Sequence, residues 1–472
     1  MDIKEFAKYL NNLSFIKGAT ETAEELGVDA YVVGGFIRDY ILDNEHKDID
    51  FLIVGDGIEF ARKYAGKLGI EDVVIFKTYG TAHFKHAGFE FEFVGARKES
   101  YDKASRNPAV EIGTFEDDIK RRDLTINSIA ASIKKENFGE IVDLFDGLKD
   151  IESKIVRTPL DPYITFNDDP LRILRAIRFA ARLDFKIEEK TFEALGKVAG
   201  RLEIITQERI TEEFLKIMSV KKPSVGLQYL FDSGVLKIIF PEIANLAGVE
   251  QRKDFHHKDV FYHTCEVVDN VAKVSDNVWL RLAALLHDVA KPKTKRFVEG
   301  VGWTFHGHEE LGARMVKPIF KRMRLPMHKA EYVEKLVRLH LRPIALNKDE
   351  VTDSAIRRFI VAAGEDLDDL ITLCRADITS KNIKKVQQYL KHYDLVMEKV
   401  RDVRERDKLR EFQSPVKGDE IMKVCNIPPS KKVGEIKTAI EEAILDGEIE
   451  NTYEAAFEYL LKIKEMYLSA NS

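Results

Sequence analysis

The 472 residues, 44% hydrophobic and 33% charged, suffice for three or four buried cores, and no run approaches the roughly 18 uninterrupted apolar residues of a membrane span. The net charge of -6 argues against a nucleic-acid partner only until its distribution is considered, because cations gather at RKES, KRRD and the arginine series from Arg172 to Arg182. Cys265, Cys374 and Cys425 lack CxxC spacing, which argues against disulfides and a thiolate zinc site and makes them core residues; the polar start MDIKEFAKYLNNL does not read as a secretory signal, so a cytoplasmic location and no membrane partner are expected.

Residues 1–140 mix helical periodicity with short β-branched or aromatic runs, AYVVGG, DIDFLIVG and FEFEFVGAR, separated by glycine turns. After Asp150 the strand signals thin out and helical patterns dominate, with breaks near Pro223, Pro241, Pro292, Pro343, Pro415 and Pro428. The predicted class is α+β: a mixed head over 1–140, then a helical neck over 141–235, a helical body over 236–395 and a helical tail over 396–472. There is no internal repeat and no low-complexity tract.

In the head, YVVGGFIRDYILDNEHKDIDFLIVG reads as a strand, the turn Gly34-Gly35, a helix carrying Arg38 and Asp39, and a second strand carrying Asp48 and Asp50. Two glycines let backbone N–H groups approach a phosphate. Side chains at i and i+2 share a strand face, so Asp48 and Asp50 project together while Ile49 and Phe51 enter the core. Paired carboxylates need a cation; Mg²⁺ accepts hard oxygen ligands and also binds substrate phosphates, which implies nucleotidyl transfer. DxD alone would read as a solvated strand face, but GG and RD stand just upstream. FEFEFVGAR adds Glu92 as a third carboxylate, or else describes an exposed edge strand. In EDDIKRRDLTINSIA, Arg122 suits triphosphate oxygens and Asp123 suits ribose hydroxyls, with Asn127 close behind. The alternative is a helix-end charge cluster with Asn127 as a turn residue.

The neck segment FNDDPLRILRAIRFAARLDF opens with Asp169 before Pro170, a helix-start signature. Asp169, Arg172, Arg175, Arg178 and Arg182 share one side of that helix, with Leu171, Leu174, Ile177 and Ala181 mostly opposite. Cytosine and adenine both present an amino donor beside a ring-nitrogen acceptor. Asp169 can accept from the first and Arg172 donate to the second, whereas guanine or uracil would leave buried charges unpaired. The plainer alternative is that Asp169 caps the helix and Arg172 pairs with it. QERITEEFLKIM, with Glu208 and Arg209, reads as a supporting helix.

In the body, eight of the twelve histidines fall between His256 and His340. Within VWLRLAALLHDVAKPKTK, His287 and Asp288 interrupt an apolar helix, where uncompensated burial would cost several kcal/mol and a metal would compensate it.

Taken together, GGFIRD with DID, RRDLTIN and DDPLR resemble, in order, the metal, ribose and base-template motifs of the class II tRNA nucleotidyltransferase and poly(A) polymerase family, in the polymerase β superfamily. Leu124, Ser128 and Asp168 stand where that family usually has Phe, Ala and Glu. The resemblance implies a polymerase β-like head with Mg²⁺ on Asp48 and Asp50. It further implies Asp123 at the ribose, Asp169 with Arg172 at the base, and Gly34, Gly35, Arg38, Arg122, Asn127, Arg175 and Arg178 around the nucleotide. The substrates implied are tRNA, CTP and ATP. The body resembles the HD phosphohydrolase superfamily, whose H…HD…D order falls on His263, His287, Asp288 and Asp377. His308 and His340 would complete a second metal position for a divalent transition metal, and Lys291 would take phosphate. His256, His257 and His306 are read as core histidines that only hydrogen-bond.

CCA-adding, A-adding and poly(A)-adding enzymes share these motifs. Here DGIEFARKYAG replaces the basic, aromatic block of bacterial poly(A) polymerases, and FVGARKESY with the HD region is similar to full CCA-adding enzymes. The rivals are an A-adding or poly(A)-adding member, an HD phosphohydrolase acting on RNA 3′ ends, and an RNA chaperone without catalysis. The tail is expected either to grip the tRNA elbow or acceptor stem by shape or to serve packing alone.

Overall fold

The computed structural model describes residues 3–45, 47–100, 109–249, 259–346, 352–380, 382–407 and 414–468; His256 and His257 lie outside the described residues. The chain forms two compact units, Met1–Asn245 with Arg322–Leu325, and Leu246–Lys321 with Pro326–Ser472.

In the first unit, α1 (Ile3–Asn12) and α2 (Ser14–Leu26) lead into β1 (Asp29–Val33), α3 (Gly35–Ile41), β2 (Asp48–Val54) and α4 (Gly57–Lys67). There follow β3 (Val74–Phe76), β4 (Thr81–His86), β5 (Phe89–Gly95), β6 (Arg97–Ser100), β7 (Ala109–Ile112), α5 (Phe115–Lys120), β8 (Ala130–Ser132) and β9 (Ile141–Val142). Seven strands form one mixed sheet in the order β3-β4-β5-β2-β1-β8-β9. β2 pairs in parallel with β5, and the neighbouring pairs are antiparallel. Ile49, Phe51, Phe91 and Phe93 are buried on one face, where the Phe51 and Phe93 rings stack at 5.0 Å and Phe60 and Tyr64 of α4 cover them. A one-residue slip would send these rings to the other face, so the aromatic layer holds the register that places the acids opposite it. β9 pairs with β8, so the head sheet extends past residue 140.

Next come α6 (Gly147–Ser153), β10 (Ile155–Val156), α7 (Pro162–Asp168), α8 (Leu171–Leu183), β11 (Lys186–Ile187), α9 (Glu189–Val198), α10 (Gln207–Met218), α11 (Pro223–Asp232), α12 (Val235–Ile239) and α13 (Pro241–Ala244). α8 buries Leu171, Leu174, Ile177 and Ala181 as its periodicity predicts. α11 approaches it closely through Gly226, where a Cβ would lie 2.4 Å from Ile217 and 3.3 Å from Ala181.

The second unit contains α14 (Val260–Ala272), α15 (Val278–Leu286), α16 (Lys291–Thr294), β12 (Arg296–Val298), β13 (Gly302–Thr304), α17 (His308–Arg322), α18 (Ala330–Leu339), α19 (Arg342–Ala345), α20 (Asp353–Ala363), α21 (Leu367–Ala376), α22 (Ile383–Asp407), α23 (Gly418–Cys425), α24 (Lys431–Leu445) and α25 (Tyr453–Leu468). Proline occupies the first turn of α11, α13, α16 and α19, as expected of a residue with a fixed φ and no N–H. Pro318 lies inside α17 and does not break it. The 25-residue α22 carries the chain straight through the body-to-tail boundary expected at residue 395. The tail packs Ile421, Ile436, Ile440, Ile444 and Leu460 into a core of its own. Among the described residues no helix is long and apolar enough to cross a membrane.

Candidate active site and metal centre

Asp48 and Asp50 share one face of β2, with Ile49 and Phe51 buried on the other. The parallel register places Asp50 beside Glu92 and Asp48 beside Glu90. β5 is flanked by β2 and β4, so the edge-strand alternative for Glu92 does not hold. Burial, and then the neighbouring Glu92, push the Asp50 carboxyl up to about 6; burial also raises Glu92, against the pull of Arg122. The donor set is hard oxygen with excess negative charge, which fits Mg²⁺.

Gly34 has φ +76, and a Cβ there would lie 3.2 Å from Arg122 Nη1 and 3.6 Å from Asp50 Oδ2. Its N–H donates to Ile129 O at 3.0 Å. Gly34 therefore does not offer its N–H to a phosphate as the sequence reading expected. The position requires glycine for space and for its backbone angle.

Arg38 is 2% exposed and donates to Asp39 at 2.9 and 2.7 Å and to Asn127 Oδ1, with its guanidinium over the Phe179 ring. Asp123 accepts from Leu124 N at 2.9 Å, from Asn127 Nδ2 at 3.1 Å and from Arg175 at 2.6 Å. Burial opposes its ionisation, but Arg175 and Asn127 outweigh that and hold it at about 2. In RRDLTIN, Arg121 follows the last residue of α5 and Thr125–Asn127 is a tight turn, as the plainer alternative has it, and Arg122, Asp123 and Asn127 line the same cleft as Asp50.

That cleft, of about 570 Å³, also collects Asp169, Arg172, Arg175 and Arg178. Asp169 Oδ1 accepts from Leu171 N at 3.1 Å, the capping bond that the plainer reading required, while Oδ2 accepts no hydrogen bond among the described residues. Arg172 is 8% exposed and reaches Thr165 O at 3.4 Å. Further along α8, Arg175 pairs with Asp123, Arg178 Nε lies 2.9 Å from Glu213, and Arg182 lies 3.4 Å from Asp39. The arginine face is thus a row of acid–guanidinium pairs, of which Arg175–Asp123 and Arg182–Asp39 join neck to head and Arg178–Glu213 joins two neck helices. Glu213, Phe179, Thr81 and Lys47 near the cleft carry no local signal in the sequence: the first three are ordinary residues of amphipathic elements, and Lys47 is a loop lysine just before β2. Arg209 of the supporting helix also lines the cleft, whereas Glu208 pairs with Arg324 at 3.6 Å.

The second unit brings the predicted histidines and aspartates together. His287 and Asp288 follow the last residue of α15, so they end that helix and do not interrupt it. Two groups share one carboxylate: His263 with His287 and Asp288, and Asp288 with His308 and His340. Asp377 adds an oxygen 2.9 Å from His263 Nε2 and 3.4 Å from His287 Nε2. Each ring is oriented from behind, with Nδ1 of His287, His308 and His340 2.7 Å from the carbonyls of Ala284, Phe305 and Val337, and Nδ1 of His263 2.9 Å from Thr379 Oγ1. Nδ1–H donation to a carbonyl leaves an Nε2 lone pair directed inward. His287 Nε2, His308 Nε2 and Asp288 Oδ2 make no hydrogen bond of acceptable geometry, although Lys291 Nζ lies 2.7 Å from Asp288. Burial disfavours charge on His287, but Asp288 and Asp377 outweigh it and bring the ring up to about 10, so without a cation Nε2 holds a proton that a bound metal would displace; burial and then His287 push His340 down to about 4. Buried, orphaned nitrogens around ionised carboxylates fit a divalent transition-metal pair. His306 is exposed, so it is not a core histidine.

Residues 30–157 match the Poly A polymerase head domain, 184–246 the Probable RNA and SrmB-binding site of polymerase A, and 260–382 the HD domain. The Multifunctional CCA protein of Neisseria meningitidis is 33% identical over 317 residues, covering 66% of this chain and 73% of that protein. The A-adding tRNA nucleotidyltransferase of Aquifex aeolicus is 34% identical over 272 residues, 57% of this chain and 32% of its own. Among solved structures, a tRNA nucleotidyltransferase complexed with a primer tRNA and an incoming ATP analog aligns over 80% of this chain and 99% of its own, at 26% identity and a TM-score of 0.58.

Proposed function

Because the chain belongs to the tRNA nucleotidyltransferase and poly(A) polymerase family that includes the multifunctional CCA proteins, we propose that its head and neck attach CMP and AMP to the tRNA 3′ end. The chain is a nucleotidyltransferase. The terminal ribose hydroxyl attacks the α-phosphorus of CTP or ATP, an O–P bond forms, the bond to the β-phosphate breaks and pyrophosphate leaves. The observation carrying this reading is the convergence in one cleft of the Asp48, Asp50 and Glu92 acids, Asp123, and the Asp169 and Arg172 pair.

Asp48 and Asp50 would hold Mg²⁺, with Glu92 beside them. When bound, that ion lowers the cost of ionising the attacking hydroxyl and of charge on the leaving pyrophosphate. Arg122, against Gly34 and Asp50, takes triphosphate oxygens. Arg38 and Asn127 act as positioning residues for Asp123, which takes the ribose. Asp169 Oδ2 accepts from the base amino group and Arg172 donates to the ring nitrogen. The tail grips tRNA by shape, and the cytoplasm is the expected site of action.

Offering tRNAs that end before the first C, after CC, and complete, with each nucleotide separately, tests the reading. C then A incorporation supports it; A alone on the CC end, or long A tails, replaces it with an A-adding or poly(A)-adding enzyme. A further expectation concerns pH. Because Asp50 holds its proton up to about pH 6, a cation must displace that proton below this pH. Binding of Mn²⁺ as a Mg²⁺ surrogate, read by electron paramagnetic resonance, should therefore weaken about 5-fold between pH 6 and 5, approach about 10-fold per pH unit below that, and level off above 7. A flat profile would place the ion elsewhere.

A second reading is favoured by the orphaned Nε2 atoms of the second unit: a metal-assisted phosphohydrolase acting on RNA 3′ ends. There His263, His287, Asp288, Asp377, His308 and His340 would hold divalent transition metals, which activate water toward phosphorus. Lys291, already paired with Asp288, would take a phosphate oxygen. Ni²⁺ at a hundredfold excess over its Kd should stabilise the wild-type chain by about 2.7 kcal/mol. His287→Ala should abolish this rise in thermal midpoint; its persistence would mean the ligands are misassigned.

A further inference from the structure

Between Asp288 and His308 the chain makes an excursion of α16, β12 and β13, with β12 and β13 antiparallel and Phe297 opposite Trp303. A two-stranded ribbon is marginal by itself, and apolar side chains on it would normally be turned against a core. Here Phe297 is 59%, Val298 42% and Val301 68% exposed. The Phe297 and Trp303 rings meet edge to face at 5.3 Å, and Lys295 Nζ lies 4.4 Å from the centre of the Trp303 ring. From Lys291 to Thr304 the segment carries four cations, Lys291, Lys293, Lys295 and Arg296, against one acid, Glu299.

Both ends of the excursion are tied to the histidine–aspartate cluster. Lys291 Nζ lies 2.7 Å from Asp288 Oδ2 and 5.6 Å from the centre of the Phe305 ring. Phe305, two residues beyond Trp303, has its carbonyl 2.7 Å from His308 Nδ1. The five residue-to-residue steps from Trp303 to His308 span at most ~18 Å, so a base on the ribbon lies within a few nucleotides of the cluster.

We infer that this ribbon is a stacking platform for the unpaired 3′-terminal nucleotides of an RNA, presenting the terminal phosphate to the cluster. The inference rests on the hydrolase reading of the second unit. The exposed Phe297 ring, with the half-buried Trp303 edge against it and cations alongside, suits a single strand: every base has a face to stack, the cations follow the phosphates, and no sequence is read. In a duplex the faces are already stacked, and a purely apolar protein partner gains nothing from the excess of cations.

Trp279 and Trp303 are the two tryptophans, so in the full-length Trp279→Phe variant Trp303 alone reports. A short single-stranded RNA ending in a 2′,3′-cyclic phosphate should quench its emission saturably, and a blunt duplex of equal length should not. Phe297→Ala and Trp303→Ala should raise KM for that RNA ~10-fold relative to KM for 2′,3′-cyclic CMP, because the mononucleotide has no neighbouring base to stack. If cyclic CMP is not hydrolysed with Mg²⁺, Mn²⁺ or Ni²⁺ supplied, the hydrolase reading fails while quenching still decides the platform. Absent quenching, equal quenching by duplex, or ribbon variants that change only the sedimentation coefficient would overturn the inference and make the ribbon a protein–protein contact.

Discussion

Asp48→Ala combined with Asp50→Ala is expected to lower CMP and AMP incorporation by about four orders of magnitude or more while leaving the fold intact. Losing the ion removes several kcal/mol of charge stabilisation at each decade per about 1.4 kcal/mol, and no other side chain in the cleft replaces two carboxylates on one strand face. The fold should tolerate the change because neither carboxylate supports the core: Asp48 is exposed, and Asp50 is held in a position that burial and Glu92 make unfavourable for its charge. The thermal midpoint should hold or rise. Single-turnover incorporation on a CC-ended tRNA with ATP, next to a melting curve, separates the outcomes. Near-normal extension by the double variant would place the chemistry outside β2, whereas a collapsed melting curve would make the acids structural.

The second large effect is expected in nucleotide choice. Asp169 performs two tasks with two oxygens, Oδ1 capping α8 at Leu171 N and Oδ2 available to the cleft. Asp169→Asn keeps the volume, and its carbonyl oxygen can retain the cap, so the first turn of α8 should survive. It replaces the second acceptor with an N–H₂ donor, which repels the amino group of cytosine or adenine and welcomes the carbonyl of uracil or guanine. Selectivity for CTP over UTP should fall about a hundredfold or more, since a hydrogen-bonding site discriminates by leaving the wrong partner's groups unpaired. Incorporation of each nucleotide on the same tRNA measures it. Unchanged selectivity with unchanged stability would reduce Asp169 to a helix cap, and base choice would have to come from elsewhere in the cleft.

Local chemistry made much of this molecule legible from the residues alone. Alternation along DIDFLIV set the acids and the core on opposite faces of β2, Pro170 and the 3.6-residue period placed the α8 arginines on one side, and the crowding of histidines marked the second unit. These features depend on strand and helix periods, which need no partner to be read. The tertiary structure decided what periods cannot express. Only sheet order makes β5 an interior strand and sets Glu92 beside Asp50. Only tertiary packing gives the arginine face its acids: neck on head pairs Arg175 with Asp123 and Arg182 with Asp39, neighbouring neck helices pair Arg178 with Glu213, and the head's own fold commits Arg38 to Asp39 and Asn127. Likewise, only long-range closure brings His263 and Asp377 to His287 and sends an aromatic ribbon outward between Asp288 and His308. A charge seeks whichever opposite charge the fold delivers, so its partner is a property of the folded chain and not of its neighbours in sequence.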